Sequence, residues 1–358
     1  NGMKIGVYDP YLDDMGGGEK YMLTLASCLS KNHEVHLFWD KLEDLDIVTQ
    51  RFSLDISKVK IVENIFSGKF SLINRLRKSR EYDAIIVLSD GSIPLVWSKK
   101  LFLHIQQPIV GIKYSFKDLI KIKRITKVFC NSIFTQFFLN NNLKDKSVVI
   151  YPPINLKPKK IEKENIILTV GRFRVKNVGL ADYKKQSVLV DVFMKMVDKG
   201  LKDWKLVLAT SVKPNEEEEF EKLKTKAKNY PIEFLVNKKN DDLWEIYSKA
   251  KIYWHASGFG EDLKKRPDYA EHFGISTVEA MGGGAVPVVI NAGGQKEIIE
   301  QGVNGYLWDE ESALIQKTLD LIEKAEKLRE MSGKAIVRAK KFAEKDFCKE
   351  VQSLITND

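Results

Sequence analysis

The sequence predicts an α/β protein made of two doubly wound domains, and three observations carry that expectation. At 358 residues the chain is too long for one ordinary hydrophobic core. Two separate series of short apolar runs alternate with helical periodicity, and each opens on a strand that leads to glycine. Residues 4–8 (KIGVY) precede Gly16, Gly17 and Gly18, and residues 166–170 (IILTV) run directly into Gly171. Between the two series lie Tyr151, Pro152 and Pro153, where each proline holds the residue before it extended, as a linker requires. The expected division is residues 3–153, residues 154–340 and a terminal helical segment, 341–358.

Taken in order, the glycine triplet is followed by Tyr21, Leu25 and Leu29 at helical spacing and by a strand at 34–39 (EVHLFW). Residues 83–88, 101–105 and 128–131 read as further buried strands. His104 stands at the end of one of them, just before Gln106, Gln107 and Pro108. In the second series Val188, Val192, Phe193 and Met196 form a helix face and residues 205–209 a strand. Residues 216–228 form a charged, solvated helix and 243–248 a short one, before the strand 252–255 (IYWH). The loop 258–269 is long and charged, and reads equally as a lid or a substrate loop. The last helix, about residues 340–354, places Phe342, Phe347, Val351 and Leu354 on one face.

Composition narrows the classes. The apolar content of 44% is that of a globular protein. No apolar run approaches the roughly eighteen residues of a membrane span. Asn1 and Gly2 ahead of Met3 read as an expression remnant, with no basic-then-apolar leader after them. Cys28, Cys130 and Cys348 are dispersed, so the expectation is buried thiols in a reducing cytosol, neither a disulfide framework nor a metal site. The net charge of +9 is uneven: residues 60–127 hold fourteen Lys/Arg against five Asp/Glu, which accounts for the whole excess. Such a face is either simply solvated or attracts an anion such as a phospholipid surface, a lipid pyrophosphate or a nucleic acid.

The most informative stretch is 270–308, AEHFGISTVEAMGGGAVPVVINAGGQKEIIEQGVNGYLW. Gly274 lies where a helix can start, residues 276–281 carry it, and Gly282, Gly283 and Gly284 stop it. Residues 285–290 are a valine-rich strand covered on both faces. Gly293 and Gly294 turn the chain into a second helix at 296–301. Backbone N–H groups at that turn and at the first helix start suit a polyanion such as a diphosphate. Glu271 and Glu279 flank the first helix start and frame His272, Phe273, Gly274 and Ile275. Alone, such a pair reads as one loop charge and one surface helix charge. In this setting it resembles the E-x7-E segment of the retaining glycosyltransferases of family 4. Those enzymes have the GT-B fold, two Rossmann-like domains facing each other across a cleft, with the C-terminal helix crossing back to the first.

The resemblance extends over nearly the whole chain and implies roles for matching residues. His104 would face the donor sugar and diphosphate. Arg172, in a Gly-Arg pair, and Lys184 would neutralise the leaving diphosphate, with Lys185 as the competitor of Lys184. Glu271 would face the transferred sugar, with the backbone around His272, Phe273, Gly274 and Ile275 on its hydroxyls. Glu279 would accept hydrogen bonds from the ribose. Gly16, Gly17, Gly18 and Gly294 would let the backbone approach the donor. No metal or other cofactor is implied. The phrase EHFGI…VE followed by PVV is especially like the mannosyltransferases that extend lipid-linked oligosaccharides. GDP-mannose is therefore the favoured donor, a UDP-sugar (glucosyl or GlcNAc) the alternative, and a glycan or lipid-linked molecule the acceptor.

The basic region acquires a use in that setting. Residues 69–80 hold Lys69, Arg75, Arg77, Lys78 and Arg80 around Phe70, Leu72, Ile73 and Leu76, and residues 113–129 are similar. Basic amphipathic helices suit anionic membrane surfaces, which implies a cytoplasmic protein, peripheral on the inner face of a membrane. A basic, non-enzymatic nucleic-acid- or membrane-binding protein is the competing class. No nucleic-acid recognition motif is present, so no nucleic-acid partner is expected. The glycines also lack the G-x-G-x-x-G spacing of a dinucleotide oxidoreductase.

Overall fold

A computed structural model describes residues 2–12, 17–174 and 182–357, with the side chain of Arg51 not described. The chain divides into two compact units, residues 1–153 with 344–358, and residues 154–343. Among the described residues the first unit carries a seven-stranded parallel sheet of order β3-β2-β1-β4-β5-β6-β7. Its strands are β1 (Lys4–Tyr8), β2 (Glu34–Phe38), β3 (Lys60–Val62), β4 (Ala84–Leu88), β5 (Lys100–Ile105), β6 (Lys127–Cys130) and β7 (Ser147–Val149). β4 is AIIVL and buried at every position, which is what a central parallel strand covered on both faces requires. One core packs Ile5, Val7, Leu25, Leu29, Ile86 and Phe102. The other holds Phe38, Ile85, Leu103, Val128 and Cys130.

The second unit repeats the design with a six-stranded sheet of order β10-β9-β8-β11-β12-β13. These strands are β8 (Glu164–Arg172), β9 (Lys205–Ser211), β10 (Ile232–Val236), β11 (Ala250–His255), β12 (Val286–Ile290) and β13 (Tyr306–Trp308). Pro287 lies inside β12, in register with Tyr253 of β11 but outside the β12–β13 ladder, which spans only Val288 to Ile290. Gly305, of the Asn-Gly turn, lies against that proline, and a Cβ there would fall 2.5 Å from its Cγ. Two doubly wound parallel sheets make this the α/β fold expected from sequence.

Two expectations need correction. The second helix after the E-x7-E helix is only Gln295–Ile298, because Ile299 turns extended and Asn304 Oδ1 accepts the Glu300 N–H at 3.0 Å. The cysteines are not all thiols: Cys28 and Cys348 form a disulfide, and Cys130 stays free and buried. No Cys-x-x-Cys signal could announce a pair 320 positions apart. It forms because helix Glu344–Asn357 belongs to the first unit, where Phe347, Val351, Leu354 and Ile355 enter the same core as Leu25 and Leu29. The Gln352 carboxamide also donates to Cys28 O at 2.8 Å.

Candidate active site

The carboxyl ends of β8 and β11 gather the chemistry of the second unit. β8 ends in Gly171 and Arg172. Gln186, first residue of helix Gln186–Asp198, holds that strand end: its Nε2 donates to Gly171 O at 3.2 Å and its Oε1 accepts from Thr210 Oγ1 at 3.1 Å. Arg172 is exposed at the tip, while Arg174 turns inward to pair with buried Glu216 at 3.2 Å. Lys184 and Lys185 stand immediately ahead of the helix, Lys185 in left-handed backbone geometry with φ 55°. Asp182 Oδ1 accepts the Lys185 N–H at 3.2 Å and so shapes this approach.

The two lysines that sequence left in competition have different partners. Lys184 Nζ donates to Glu271 Oε2 at 2.7 Å, and Lys185 Nζ donates to Glu261 Oε1 at 2.7 Å. Glu271 is half-buried in the loop ahead of helix Ile275–Gly282. A third residue joins it: His255, at the end of β11, places Nε2 3.3 Å from Glu271 Oε2. The Ser257 N–H donates to His255 Nδ1 at 3.3 Å, which leaves the ring proton on Nε2 to be donated to the carboxylate. Burial on its own raises the Glu271 pKa, but the Lys184 ammonium and the His255 hydrogen bond outweigh it and hold the carboxyl well below its ordinary range. Sequence reasoning missed His255, although its signal was the one used for His104, a histidine closing a buried strand.

The 258–269 loop braces the lysine segment. Gly258 N–H donates to Tyr183 O at 2.7 Å and Ser257 Oγ to Tyr269 O at 3.1 Å. The rings of Tyr183 and Tyr269 are parallel to within 2°, with centroids 5.5 Å apart, and the Arg266 guanidinium lies over Tyr269 at 4.1 Å. Together with the Lys185–Glu261 pair, these contacts tie the loop to the residues that carry Lys184.

The glycine pair after β12 supports the same loop from below. A Cβ on Gly293 would meet Glu271 O at 2.2 Å, and one on Gly294 would meet Phe273 Cα at 2.3 Å. No side chain fits between these backbones. Gly294 N–H donates to Glu271 O at 2.7 Å, so it is spent inside the protein and does not await a diphosphate, contrary to expectation. Phe273 is likewise core, 5.3 Å from Phe342, and His272 Nε2 lies 3.2 Å from Asp268 O. Helix Ile275–Gly282 starts at Gly274 (φ 122°), which has no side chain to cap the first N–H groups. Tyr253 steadies that start, lying 2.7 Å from Ser276 Oγ and 3.3 Å from Val170 O. Glu279, in the helix, is buried, not the surface charge that its position in isolation implied. Burial pushes the neighbouring Tyr247 phenol well above its ordinary value, and the Glu279 charge adds to the effect.

In the first unit Gly17 and Gly18 open helix Gly17–Leu29, and Gly18 lies so close to Gln106 that a Cβ would fall 2.1 Å from its Nε2. Gly16 lies outside the described residues. His104 does end β5, but its ring is 0% exposed, stacked 4.0 Å from Tyr21 and 4.7 Å from Phe129. Its Nδ1 donates to Phe129 O at 3.0 Å and burial lowers its pKa to about 3. The aromatic stack covers the ring faces, and His104 Nε2 is buried without a hydrogen-bond partner among the described residues.

The family model "Glycosyl transferases group 1" matches residues 153–341, a span that includes Arg172, Lys184, His255, Glu271 and Glu279. The chain belongs to the group 1 glycosyl transferases. It is thus a glycosyltransferase. A Dictyostelium discoideum GDP-Man:Man(3)GlcNAc(2)-PP-Dol alpha-1,2-mannosyltransferase is 25% identical over 268 residues, which are 70% of this chain and 49% of that protein. The chain therefore spans about half the length of that relative. A Campylobacter jejuni alpha-1,4-N-acetyl-D-galactosaminyltransferase, named for an undecaprenol-diphosphate-linked substrate, is 25% identical over 356 residues and covers 91% of each chain. Among solved structures, Anabaena HepE in complex with UDP and glucose superposes with TM-score 0.71 at 18% identity, covering 99% of this chain and 100% of that one. A Rickettsia africae glycosyltransferase gives TM-score 0.73 at 18% identity and full coverage of both chains. These likenesses show the GT-B fold.

Proposed function

We propose that this glycosyltransferase moves a hexose, with retention of configuration, from a nucleoside-diphosphate sugar to a lipid-linked or glycan acceptor without a metal ion. The observation that carries the reading is Lys184 held against Glu271 at the end of β8 and β11. As the glycosidic bond breaks, negative charge grows on the leaving diphosphate, and Arg172 with Lys184 stabilises that charge more than the ground state. Glu271 orients the transferred sugar, helped by N–H groups at the start of helix Ile275–Gly282, and Glu279 receives the ribose. Retention follows from same-face attack in which the leaving phosphate takes the acceptor proton.

Mannose from GDP-mannose is favoured by the EHFGI…VE phrase and by the donor in the Dictyostelium relative's name. A UDP-sugar is the second reading, favoured by the length of the match to the Campylobacter relative and by the UDP in the HepE crystals. Calorimetric binding of GDP, UDP and ADP, with and without metal, tests both. Tight metal-free binding of one nucleotide, lost by at least ~tenfold in Arg172→Ala, is expected. If none binds to folded wild type, or binding requires metal, the reading fails.

We place the protein on the cytoplasmic face of an anionic membrane, docked through its first unit. No helix among the described residues is long and apolar enough to cross a membrane. Helix Phe116–Lys123 instead exposes Phe116 (78%) and Ile120 (53%) among Lys117, Lys121 and Lys123, and helix Leu72–Ser79 exposes Ile73 (70%).

A further inference from the structure

Both donors to Glu271 converge on one oxygen: Lys184 Nζ lies 2.7 Å and His255 Nε2 3.3 Å from Oε2. The ammonium that a diphosphate needs is thus already neutralised by a carboxylate of the same unit. A half-buried carboxylate deprived of its ammonium is costly unless another donor remains with it. His255 is such a donor. Its ring is buried and its Nδ1 is anchored by the Ser257 N–H, so it has no freedom to follow Lys184.

We propose that a nucleoside diphosphate exchanges the partners at this site: Lys184 passes from Glu271 to the diphosphate, and His255 keeps Glu271 in place for the sugar. His255 is then a positioning residue, acting through Glu271 without touching the donor. The 258–269 brace makes the exchange local. Lys185 remains tied to Glu261, and the Tyr183–Tyr269 stack holds the backbone while the Lys184 side chain swings. The inference rests on the assignment of Lys184 and Glu271 given above.

The test is calorimetric binding of GDP and UDP to the full chain and its variants. Glu271→Gln, which removes the competing charge, is expected to tighten binding about fivefold or more. His255→Leu, which removes the donor left with Glu271, is expected to weaken binding by a similar factor. His255→Gln, which returns an N–H near the position of Nε2, restores the wild-type value. The double variant His255→Leu with Glu271→Gln binds like Glu271→Gln alone, because no charge is left to hold. A merely structural His255 would weaken binding whatever stands at position 271, so a loss that persists in the double variant overturns the proposal. An unchanged or weaker affinity in Glu271→Gln also overturns it. Lys184→Ala separates the two levels. If it leaves affinity unaltered, or if wild type binds neither nucleotide, the underlying assignment fails and the exchange with it. If Lys184→Ala loses affinity while Glu271→Gln fails to tighten, only the exchange fails.

Discussion

His104 shows how much a neighbourhood changes a residue's chemistry. On composition alone a histidine closing a buried strand is more often a hydrogen-bonded structural residue; its place at a carboxyl strand end and the family resemblance are what point to the donor. In the structure Tyr21, on the first helix, and Phe129, on β6, cover the two faces of the imidazole. The consequence is a pH-dependent stability. Burial holds the folded-state pKa near 3 against an ordinary 6.5. Between those values the unfolded chain binds a proton that the folded chain refuses, so stability is full above about pH 6.5 and drains away as pH falls toward 3. The slope from this group is at most about 1.4 kcal/mol per pH unit. His104→Phe is expected to flatten the acid side of a Tm-against-pH curve by that share. An unchanged acid slope would show that the imidazole is not kept neutral. His255 makes the complementary point. The sequence placed it at a strand end, but only the path of the 258–269 loop and the return of Glu271 gave it a partner.

At the scale of elements, what could be read from sequence was whatever depends on local periodicity and punctuation. β4, β11 and β12 announce themselves as apolar runs, and Gly274 and Gly282–Gly284 bracket a helix within one residue of its observed ends. Short edge strands such as β3 and β7, three residues each, carry too few apolar positions to stand out. Apolar spacing predicts a longer helix than Gln295–Ile298, because that spacing continues while Asn304 captures the Glu300 N–H. Helix Phe116–Lys123 carries an exposed apolar pair. Its buried side is Ile122, yet Phe116 and Ile120 face outward at helical spacing among lysines, with Ser115 and Asp118 capping the start. An outward apolar pair among lysines is the pattern that a lipid surface accommodates. Wild type is expected to sediment with anionic vesicles at low salt and not with neutral ones, and Phe116→Ser with Ile120→Ser to lose most of that binding. Equal partition onto neutral vesicles, or none onto either kind, would sink the membrane reading.

For the whole molecule the sequence conveyed two doubly wound sheets, because strand–glycine–helix series leave a strong repeated trace. It did not convey the disulfide, because bond formation depends on a helix from one end of the chain meeting a helix from the other. Cys28→Ser, or treatment with reductant, is expected to cost about 2–5 kcal/mol, read as a lower Tm of the first unit. No shift in Tm would mean that Phe347, Val351, Leu354 and Ile355 hold the last helix unaided. A bond of this kind persists only where thiols are not kept reduced. The bond also alters the chain's connectivity. From residue 28 to residue 348 the polypeptide is a closed loop, and the entire second unit is threaded on it like a bead on a clasped string. A single proteolytic nick anywhere in that unit therefore opens the loop without parting the molecule: the two fragments stay joined through sulfur and run as one species until the clasp is reduced.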